Sequence, residues 1–97
     1  MSELKKATVI LFTAPWCGPC KTMKPLLTEK LIPKHQDILD IKIVDISAPD
    51  AAGEEAMAHY APKSVPVLVS SVGHRHDGAM TESMLISWFN DVLATVQ

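Results

Sequence analysis

The chain has 97 residues, of which 47% are hydrophobic and 21% are charged, a composition typical of a folded globular protein. Domains usually take roughly 100–200 residues, so we expect one domain over residues 1–97. The formal charge of −2 excludes the basic excess of a nucleic-acid-binding protein. The longest stretch without a charged side chain, Ala7–Cys20, is too short for a membrane span of about 20 residues. The apolar run Ala7–Phe12 is shorter than the core of a secretory signal, so we expect a cytoplasmic protein.

The first predicted elements are a strand and a long helix. Ala7–Phe12 is short, β-branched and almost wholly apolar, which is typical of a strand buried on both faces of a parallel sheet. A helical pattern follows from Cys17, with apolar residues at helical spacing as far as Leu31. We expect Pro25 to kink this helix, because proline removes a backbone hydrogen bond, and Pro33 to mark its end.

The middle of the chain predicts a strand, a helix and another strand. Ile38–Asp45 alternates well enough for a strand. Ala51–Tyr60 is rich in alanine and glutamate and follows Asp50, which is placed to cap the N-terminus of a helix. Val65–Val69 predicts a third strand opened by Pro66, because a proline is tolerated at the first residue of a strand.

The C-terminal part predicts a hairpin and a helix. Val72-Gly73 suits a hairpin turn into a short edge strand near His74–Asp77, and Thr81 offers an N-cap for the last helix. The apolar stripe of this helix consists of Leu85, Trp88, Phe89, Val92, Leu93 and Val96. The order β-α-β-α-β-β-α predicts an α/β fold with a central four-stranded mixed sheet and helices on both faces. The first two strands should be parallel and the last two antiparallel.

Cys17 and Cys20 are the only cysteines, and they form a Cys-x-x-Cys motif. A disulfide between them closes a very small ring, so it adds little loop entropy and is a poor structural staple. A metal would need further ligands, and a second Cys-x-x-Cys is absent from the sequence. The spacing leaves redox chemistry or coincidence as explanations.

The position of the motif favours redox chemistry. Cys17 lies between a buried strand and a helix, where unpaired N–H groups and the helix dipole stabilise a thiolate below the free pKa of about 8.5. Cys20 lies one turn later on the same face, so it can attack a mixed disulfide formed at Cys17. Gly18 allows a partner chain to approach the backbone, and Pro19 fixes the helix start in its first turn. Cys17 is the predicted attacking residue and Cys20 the resolving residue.

The segment Trp16-Cys17-Gly18-Pro19-Cys20-Lys21 resembles the active site of the thioredoxin family. Pro25 resembles the proline of the family's kinked helix, Tyr60–Pro66 the segment that leads to its cis-proline, and Gly78-Ala79 the small pair that opens its last helix. The resemblance implies the thioredoxin fold, a cis peptide before Pro66, and presentation of the Val65 backbone to a substrate peptide in a strand-like manner. It also implies an apolar docking patch, made of Trp16, Gly18, Pro19, Val65, Pro66, Gly78 and Ala79. In the other interpretation, Val65 is an ordinary core residue and Gly78 an ordinary turn residue, and neither binds a substrate.

The sequence departs from the thioredoxin pattern behind the resolving cysteine. Leu11 occupies the position of a buried aspartate that helps to move the proton of the resolving thiol in the family. Lys42 is one residue out of register with the family's paired lysine if Asp45 is matched. Cys20 should then lose its proton to water or to the departing thiolate. We expect slower resolution near neutral pH without loss of function.

These gaps, together with the size and the compact hairpin, resemble the glutaredoxins. Ser64-Val65-Pro66 resembles their Thr-Val-Pro, and Gly78–Glu82 resembles the stretch that holds glutathione. This resemblance implies that Thr81 and Glu82 contact glutathione, with Lys21 nearby. In the other interpretation, which we favour, Thr81 is an N-cap and Glu82 a partner of the helix dipole.

Two further groups have a functional and a structural interpretation. His74 and His76, with Asp77 beside them, could bind a metal from one face of an edge strand. The sequence shows no third ligand, so we expect solvated hairpin residues and no metal site. Trp88 and Phe89 belong to the helical stripe and should lie in the core.

The residues and the resemblance predict an enzyme that reduces protein disulfides by dithiol–disulfide exchange at Cys17 and Cys20. We expect no bound cofactor besides the redox-active disulfide, with electrons from NADPH through a thioredoxin-reductase-like flavoenzyme or from glutathione. The expected partners are disulfide-containing client proteins, with ribonucleotide reductase suggested by family analogy, and the expected state is a monomer. The alternatives are a glutathione-dependent reductase of the glutaredoxin type, a non-catalytic binding subunit, and a carrier of an iron–sulfur cluster between two subunits.

Overall fold

The computed structural model describes residues 6–96 of the chain. Its elements are β1 (Ala7–Thr13), α1 (Cys20–Leu26), a π-helical segment (Leu27–Leu31), α2 (Ile32–His35), β2 (Leu39–Asp45), α3 (Ala51–Tyr60), β3 (Val67–Ser70), β4 (Arg75–Asp77) and α4 (Glu82–Val96). The strand order is β2-β1-β3-β4, with β1 parallel to β2 and the other two pairs antiparallel. The predicted α/β fold with a four-stranded mixed sheet is therefore confirmed.

The central strand β1 buries side chains on both faces, because helices cover both faces of the sheet. Val9 and Leu11 belong to the larger core, and Ile10 and Phe12 to the smaller one, as the two-residue period of a strand requires. The larger core consists of Ala7, Val9, Leu11, Met23, Leu27, Leu31, Leu39, Leu68, Met80, Leu85, Trp88, Phe89 and Val92. The smaller core consists of Ile10, Phe12, Val67 and Val69, with α3 packed against it. Burial on both faces explains the continuous apolar sequence of β1.

The helices α3 and α4 begin at the N-caps that the sequence predicts. The Asp50 carboxylate accepts the Gly53 N–H at 2.8 Å, and the Thr81 hydroxyl accepts the Met84 N–H at 3.2 Å. Each cap satisfies one of the backbone N–H groups that a helix leaves unpaired at its start. α3 ends at Ala61, whose φ of 49° lies in the left-handed region that closes many helices.

The first helix starts later than predicted. It begins at Cys20 rather than Cys17, because Gly18 and Pro19 form a turn before it. Pro19 is the N-cap residue and does not lie inside the first turn. Its carbonyl accepts the N–H groups of Thr22 and Met23, both at 3.1 Å. Because proline has no N–H group, Pro19 leaves no backbone donor unpaired at the start of the helix.

The same helix also ends later than predicted. Past Pro25 its hydrogen bonding changes to the π pattern over Leu27–Leu31, and the Ile32 N–H donates to the Leu27 carbonyl. Proline in a regular helix clashes with the carbonyl four residues earlier, and a wider π turn relieves such a clash. Pro33 is accommodated just beyond this segment, and the helix continues to His35.

The hairpin strand β3 begins at Val67 and not at Val65, because Pro66 has no N–H to donate to a neighbouring strand. The predicted turn at Val72-Gly73 is confirmed, and Gly73 has a φ of 99°, which favours glycine. The C-terminal stripe also packs as predicted, with Trp88 and Phe89 in the larger core. Within residues 6–96, no helix has both the length and the apolar character that crossing a membrane requires.

Candidate active site

The two cysteines lie where the loop after β1 meets the start of α1. Cys17 and Cys20 are joined by a disulfide, with their Cα atoms 5.3 Å apart. The Cys17 N–H donates to the carbonyl of Ala14 at 3.1 Å, which turns the loop back toward the helix. Both cysteines pack with Ala14 in a small buried cluster, against which Ile46 and Val65 lie.

The Cys17 sulfur lies at the N-terminus of α1, as the sequence predicts. It accepts the N–H of Cys20, the first residue of the helix, at 3.2 Å. Cys17 is 4% exposed and Cys20 is 2% exposed, so burial does not separate the two roles. The Cys20 N–H does distinguish the attacking cysteine from the resolving one. A negative charge on the Cys17 sulfur would face the N-terminus of α1 and accept this hydrogen bond.

A second loop lies against the disulfide, and it contains the predicted cis-proline. The Val65–Pro66 peptide is cis, and Val65 packs against the cysteine cluster. The Gly78 N–H donates to the Pro66 carbonyl at 2.8 Å, so this loop and the segment before α4 are held together. Gly78 has a φ of 109°, a conformation that favours glycine.

The residues of the predicted docking patch surround the cysteines to different degrees. Trp16 is 67% exposed, and this exposure agrees with a contact residue rather than a core residue. Gly18, Pro19 and Ala79 are exposed, whereas Pro66 is buried. The role of these residues in binding a substrate stays a prediction.

The residues predicted to hold glutathione make other contacts. Thr81 caps α4 through its hydroxyl, and the Glu82 carboxylate lies 2.9 Å from the Lys30 ammonium. Lys21 lines a surface cleft elsewhere, beside Cys20. The contacts thus agree with the structural interpretation of Thr81 and Glu82, and glutathione binding stays a prediction.

A cleft of about 300 Å³ lies beside Cys20, and we call it the Cys20 cleft. It is lined by Thr13, Ala14, Pro15, Cys20, Lys21, Lys24 and Asp45. Leu11, where the family has an aspartate, is fully buried in the larger core. The acidic group near Cys20 therefore comes from the end of β2, where Asp45 stands in register with Thr13.

The charge of Asp45 is stabilised by its neighbours. Its Oδ1 accepts the Ser47 hydroxyl at 2.6 Å and the Ser47 N–H at 2.9 Å. These two hydrogen bonds, with a smaller contribution from the Lys24 ammonium, lower the pKa of Asp45 below its ordinary value. Sequence reasoning missed Lys24, although its place four residues after Cys20 puts the two on one helix face.

Lys42 and the histidines lie in contacts away from this cleft. The Lys42 ammonium lies 3.6 Å from the Asp40 carboxylate. His74 Nε2 lies 2.7 Å from the Thr95 hydroxyl, and Asp77 pairs with Arg75 at 2.9 Å. Among residues 6–96, no three His, Cys, Asp or Glu side chains converge in a way that could hold a metal ion.

Together these features define a site for thiol–disulfide exchange: a Cys-x-x-Cys disulfide at a helix N-terminus, opposite a cis-proline loop. The family model for thioredoxin matches residues 1–91. A thioredoxin of Pyropia yezoensis is 33% identical over 86% of this chain and 77% of its own length. A thioredoxin of Haemophilus influenzae is 32% identical over 81% of this chain and 73% of its own length. The chain belongs to the thioredoxin family and is a thiol–disulfide oxidoreductase.

Two other relatives are matched over a smaller part of their length. Protein disulfide-isomerase erp38 of Neurospora crassa is 28% identical over 93% of this chain, which spans 26% of that protein. Thioredoxin H8 of Arabidopsis thaliana is 49% identical over 47% of this chain and 31% of its own length. The chain spans less than a third of each of these two proteins, so the substrates and partners of those whole proteins do not carry over.

Proposed function

We propose that the protein is a reductant of protein disulfides. The observation that carries this proposal is the hydrogen bond from the Cys20 N–H to the Cys17 sulfur at the start of α1. In the reduced protein the same N–H and the helix dipole would stabilise a Cys17 thiolate, which is the attacking form of a thiol. A nucleophile that is ionised near neutral pH, next to a second thiol, suits repeated disulfide reduction.

The proposed reaction has two exchange steps. The Cys17 thiolate attacks one sulfur of a client disulfide, forms a mixed disulfide and releases the other client sulfur as a thiolate. The Cys20 thiol loses its proton, attacks the Cys17 sulfur and releases the second client thiolate. Cys17 and Cys20 end as the disulfide found in the structure, and the two electrons reside on the client. The leaving client thiolates take up protons from solvent.

Clients would bind over the disulfide on the docking patch. Its apolar, exposed Trp16 offers a contact surface, and the Val65 backbone lies against the cysteine cluster. A backbone there can pair with an extended peptide as a neighbouring strand does. We assign disulfide-containing proteins as the substrate class, with ribonucleotide reductase as a candidate by family analogy. A reducing cytoplasm is the compartment that suits such a reductant.

Electrons would come from NADPH through a flavoenzyme of the thioredoxin reductase kind. The hydroxyl of Thr81 is engaged as an N-cap and the carboxylate of Glu82 in an ion pair, so neither group is poised for glutathione. Thioredoxins are also the relatives matched over most of their own length. A glutathione-dependent reductase is the second candidate, and the same experiment separates the two.

The test runs two assays in parallel. One follows insulin reduction with NADPH and thioredoxin reductase, and the other follows hydroxyethyl disulfide reduction with glutathione. We expect turnover in the first assay, none with Cys17→Ser, and an accumulated mixed disulfide with Cys20→Ser. Thr81→Ala serves as the matched control and should leave insulin reduction unchanged. Turnover in the glutathione assay alone, lowered by Thr81→Ala, would overturn the proposal in favour of the glutaredoxin type.

A non-catalytic role is tested by the cysteines themselves. A variant that carries both Cys17→Ser and Cys20→Ser keeps the fold of a binding subunit but loses all exchange chemistry. If that variant still supports the protein's role in cells, the thiols are incidental and the reductant function is wrong.

A further inference from the structure

The resolving cysteine has a surface of its own. Cys20 lines the Cys20 cleft, and Cys17 is not among the lining residues. Three charged side chains line this cleft: Lys21 and Lys24 from α1, and Asp45 from the end of β2. The cleft is large enough for several water molecules, since one water takes about 30 Å³. The cleft therefore offers room for water and brings charged side chains near Cys20, although Cys20 itself is buried.

The surroundings of Cys20 elsewhere are apolar. Ala14, Ile46 and Val65 pack around the cysteine cluster, and Cys17 is its one further titratable member. The charged groups placed to act on the Cys20 sulfur are therefore the three that line the cleft.

Of the three charged groups, Asp45 is poorly suited to remove the Cys20 proton. Its charge is held by the two hydrogen bonds from Ser47, and a carboxylate of low pKa is a weak base. A carboxylate beside a sulfur also opposes the formation of a second negative charge. Asp45 should therefore raise the free energy of the Cys20 thiolate rather than generate it.

Lys24 has the opposite effect. It lies four residues after Cys20, on the same face of α1, and its charge acts on Asp45 across the cleft. Lys21 also lines the cleft, but it lies one residue after Cys20 and so projects from a different side of α1 than Cys20 and Lys24 do. An ammonium group near a sulfur favours the thiolate.

We propose that the Lys24 ammonium stabilises the Cys20 thiolate across the Cys20 cleft, and that water in the cleft accepts the proton. Asp45 moderates this effect by neutralising part of the lysine charge. The resolving thiol is thus activated by a cation and water, without a carboxylate base. Lys24 acts on the Cys20 sulfur only through its positive charge. It is therefore a positioning residue that stabilises the thiolate, and it does not carry the proton.

The step balances in atoms and electrons. The Cys20 S–H proton passes to a cleft water and on to solvent. The sulfur electron pair forms the Cys17–Cys20 bond, the bond from Cys17 to the client sulfur breaks, and that sulfur leaves as a thiolate with the electron pair. Cys20 is oxidised and the client sulfur is reduced. The inference rests on exchange at Cys17 and Cys20 and holds for electron flow in either direction.

The direct test titrates Cys20 alone. In the full chain carrying Cys17→Ser, the thiolate absorbance at 240 nm is followed against pH, with Lys24→Gln, Asp45→Asn and Lys34→Gln each added. We expect Lys24→Gln to move the midpoint up by roughly 0.5 pH units and Asp45→Asn to move it down by a similar amount. This is roughly a threefold change in the thiolate fraction below the midpoint. Lys34 lies outside the cleft on the same helical stretch, so its variant should change nothing.

Charge and fold are separated by the conservative variant. Lys24→Arg keeps the positive charge, so its Cys20 midpoint should return to that of the protein with Lys24. If the lysine had a purely structural role, the midpoint would not depend on the charge at position 24. High salt should shrink both shifts, because exposed charges are screened. An unmoved midpoint in Lys24→Gln, or an upward shift in Asp45→Asn, would overturn the proposal. The second result would mean that Asp45 favours the Cys20 thiolate instead of opposing it.

A kinetic readout places the effect in the resolving step. Reduced protein with its two cysteines intact releases two equivalents of thionitrobenzoate from limiting Ellman's reagent, one on attack by Cys17 and one on attack by Cys20. Lys24→Gln should slow the second release roughly threefold near neutral pH and leave the first unchanged. Equal slowing of both releases contradicts the inference. Neither assay uses a reductase or a client protein, so a failure of the proposed function is distinguishable.

Discussion

The start of α1 and the start of α4 solve the same problem in different ways. At α4 the Thr81 hydroxyl accepts the Met84 N–H, and at α3 the Asp50 carboxylate accepts the Gly53 N–H. Among the described residues 6–96, α1 has no side-chain cap from its N-cap residue, and its first N–H donates to the Cys17 sulfur. The helices α3 and α4 are thus capped by side-chain oxygens that take no part in the exchange reaction. The helix that serves the chemistry leaves its N-terminus to the reacting atom.

This comparison predicts that a conventional cap on α1 would impair the nucleophile. Pro19→Asp would place a carboxylate at the N-cap, where it competes for the helix N–H groups and adds a negative charge. We expect the pH at which Cys17 ionises to rise by roughly 0.5 to 1 pH unit relative to Pro19→Ala. The rate of alkylation by iodoacetamide against pH, in the Cys20→Ser background, measures this shift. Identical profiles for the two variants would show that the helix N-terminus does not control the sulfur.

The reverse prediction applies to the capped helices. Thr81→Ala and Asp50→Ala each remove an inert cap, so each should lower the free energy of unfolding by about 1 kcal/mol. Urea unfolding measures this loss, and Cys17 alkylation in the same proteins should be unchanged. A variant that keeps its stability but loses alkylation would mean that these N-termini are coupled to the active site.

The opposite end of the first helical stretch predicts the smallest effect. His35 stacks on Phe89 with ring centroids 5.9 Å apart, and burial, followed by the charge of Lys34, lowers the pKa of His35 below 6.5. The unfolded chain then binds the His35 proton more tightly than the folded chain does. Protonation of His35 therefore has no effect on the free energy of unfolding well above pH 6.5, and it lowers that free energy as the pH falls below 6.5. Between about pH 7 and about pH 5.5, the wild type should lose more stability than His35→Gln. Equal losses in urea unfolding at the two pH values would contradict this assignment.

Local signals in the sequence predict most of the fold. α3 has the predicted bounds because Asp50 caps one end, and α4 follows Thr81 with the predicted apolar stripe in the core. The start of α1 was missed because Gly18 and Pro19 suit a turn as well as a first helical turn. The π segment was missed because its hydrogen bonding leaves no periodic pattern of its own.

The active site likewise has features that the sequence predicts and features that it does not. The cysteine pair follows from its spacing between a strand and a helix, whereas the cis-proline loop and the place of Gly78 follow from the resemblance to the thioredoxin family. The Cys20 cleft does not, because Lys24 and Asp45 belong to different elements and meet only through the register that places Asp45 beside Thr13. Such a meeting depends on the pairing of β1 with β2, which no local pattern specifies.

The alkylation rate of Cys17 against pH, measured with iodoacetamide in the reduced Cys20→Ser protein, tests the central claim most directly. We predict a midpoint clearly below the pKa of about 8.5 of a free cysteine, because the start of α1 stabilises the sulfur anion. A midpoint at or above the value of a free cysteine would contradict the account.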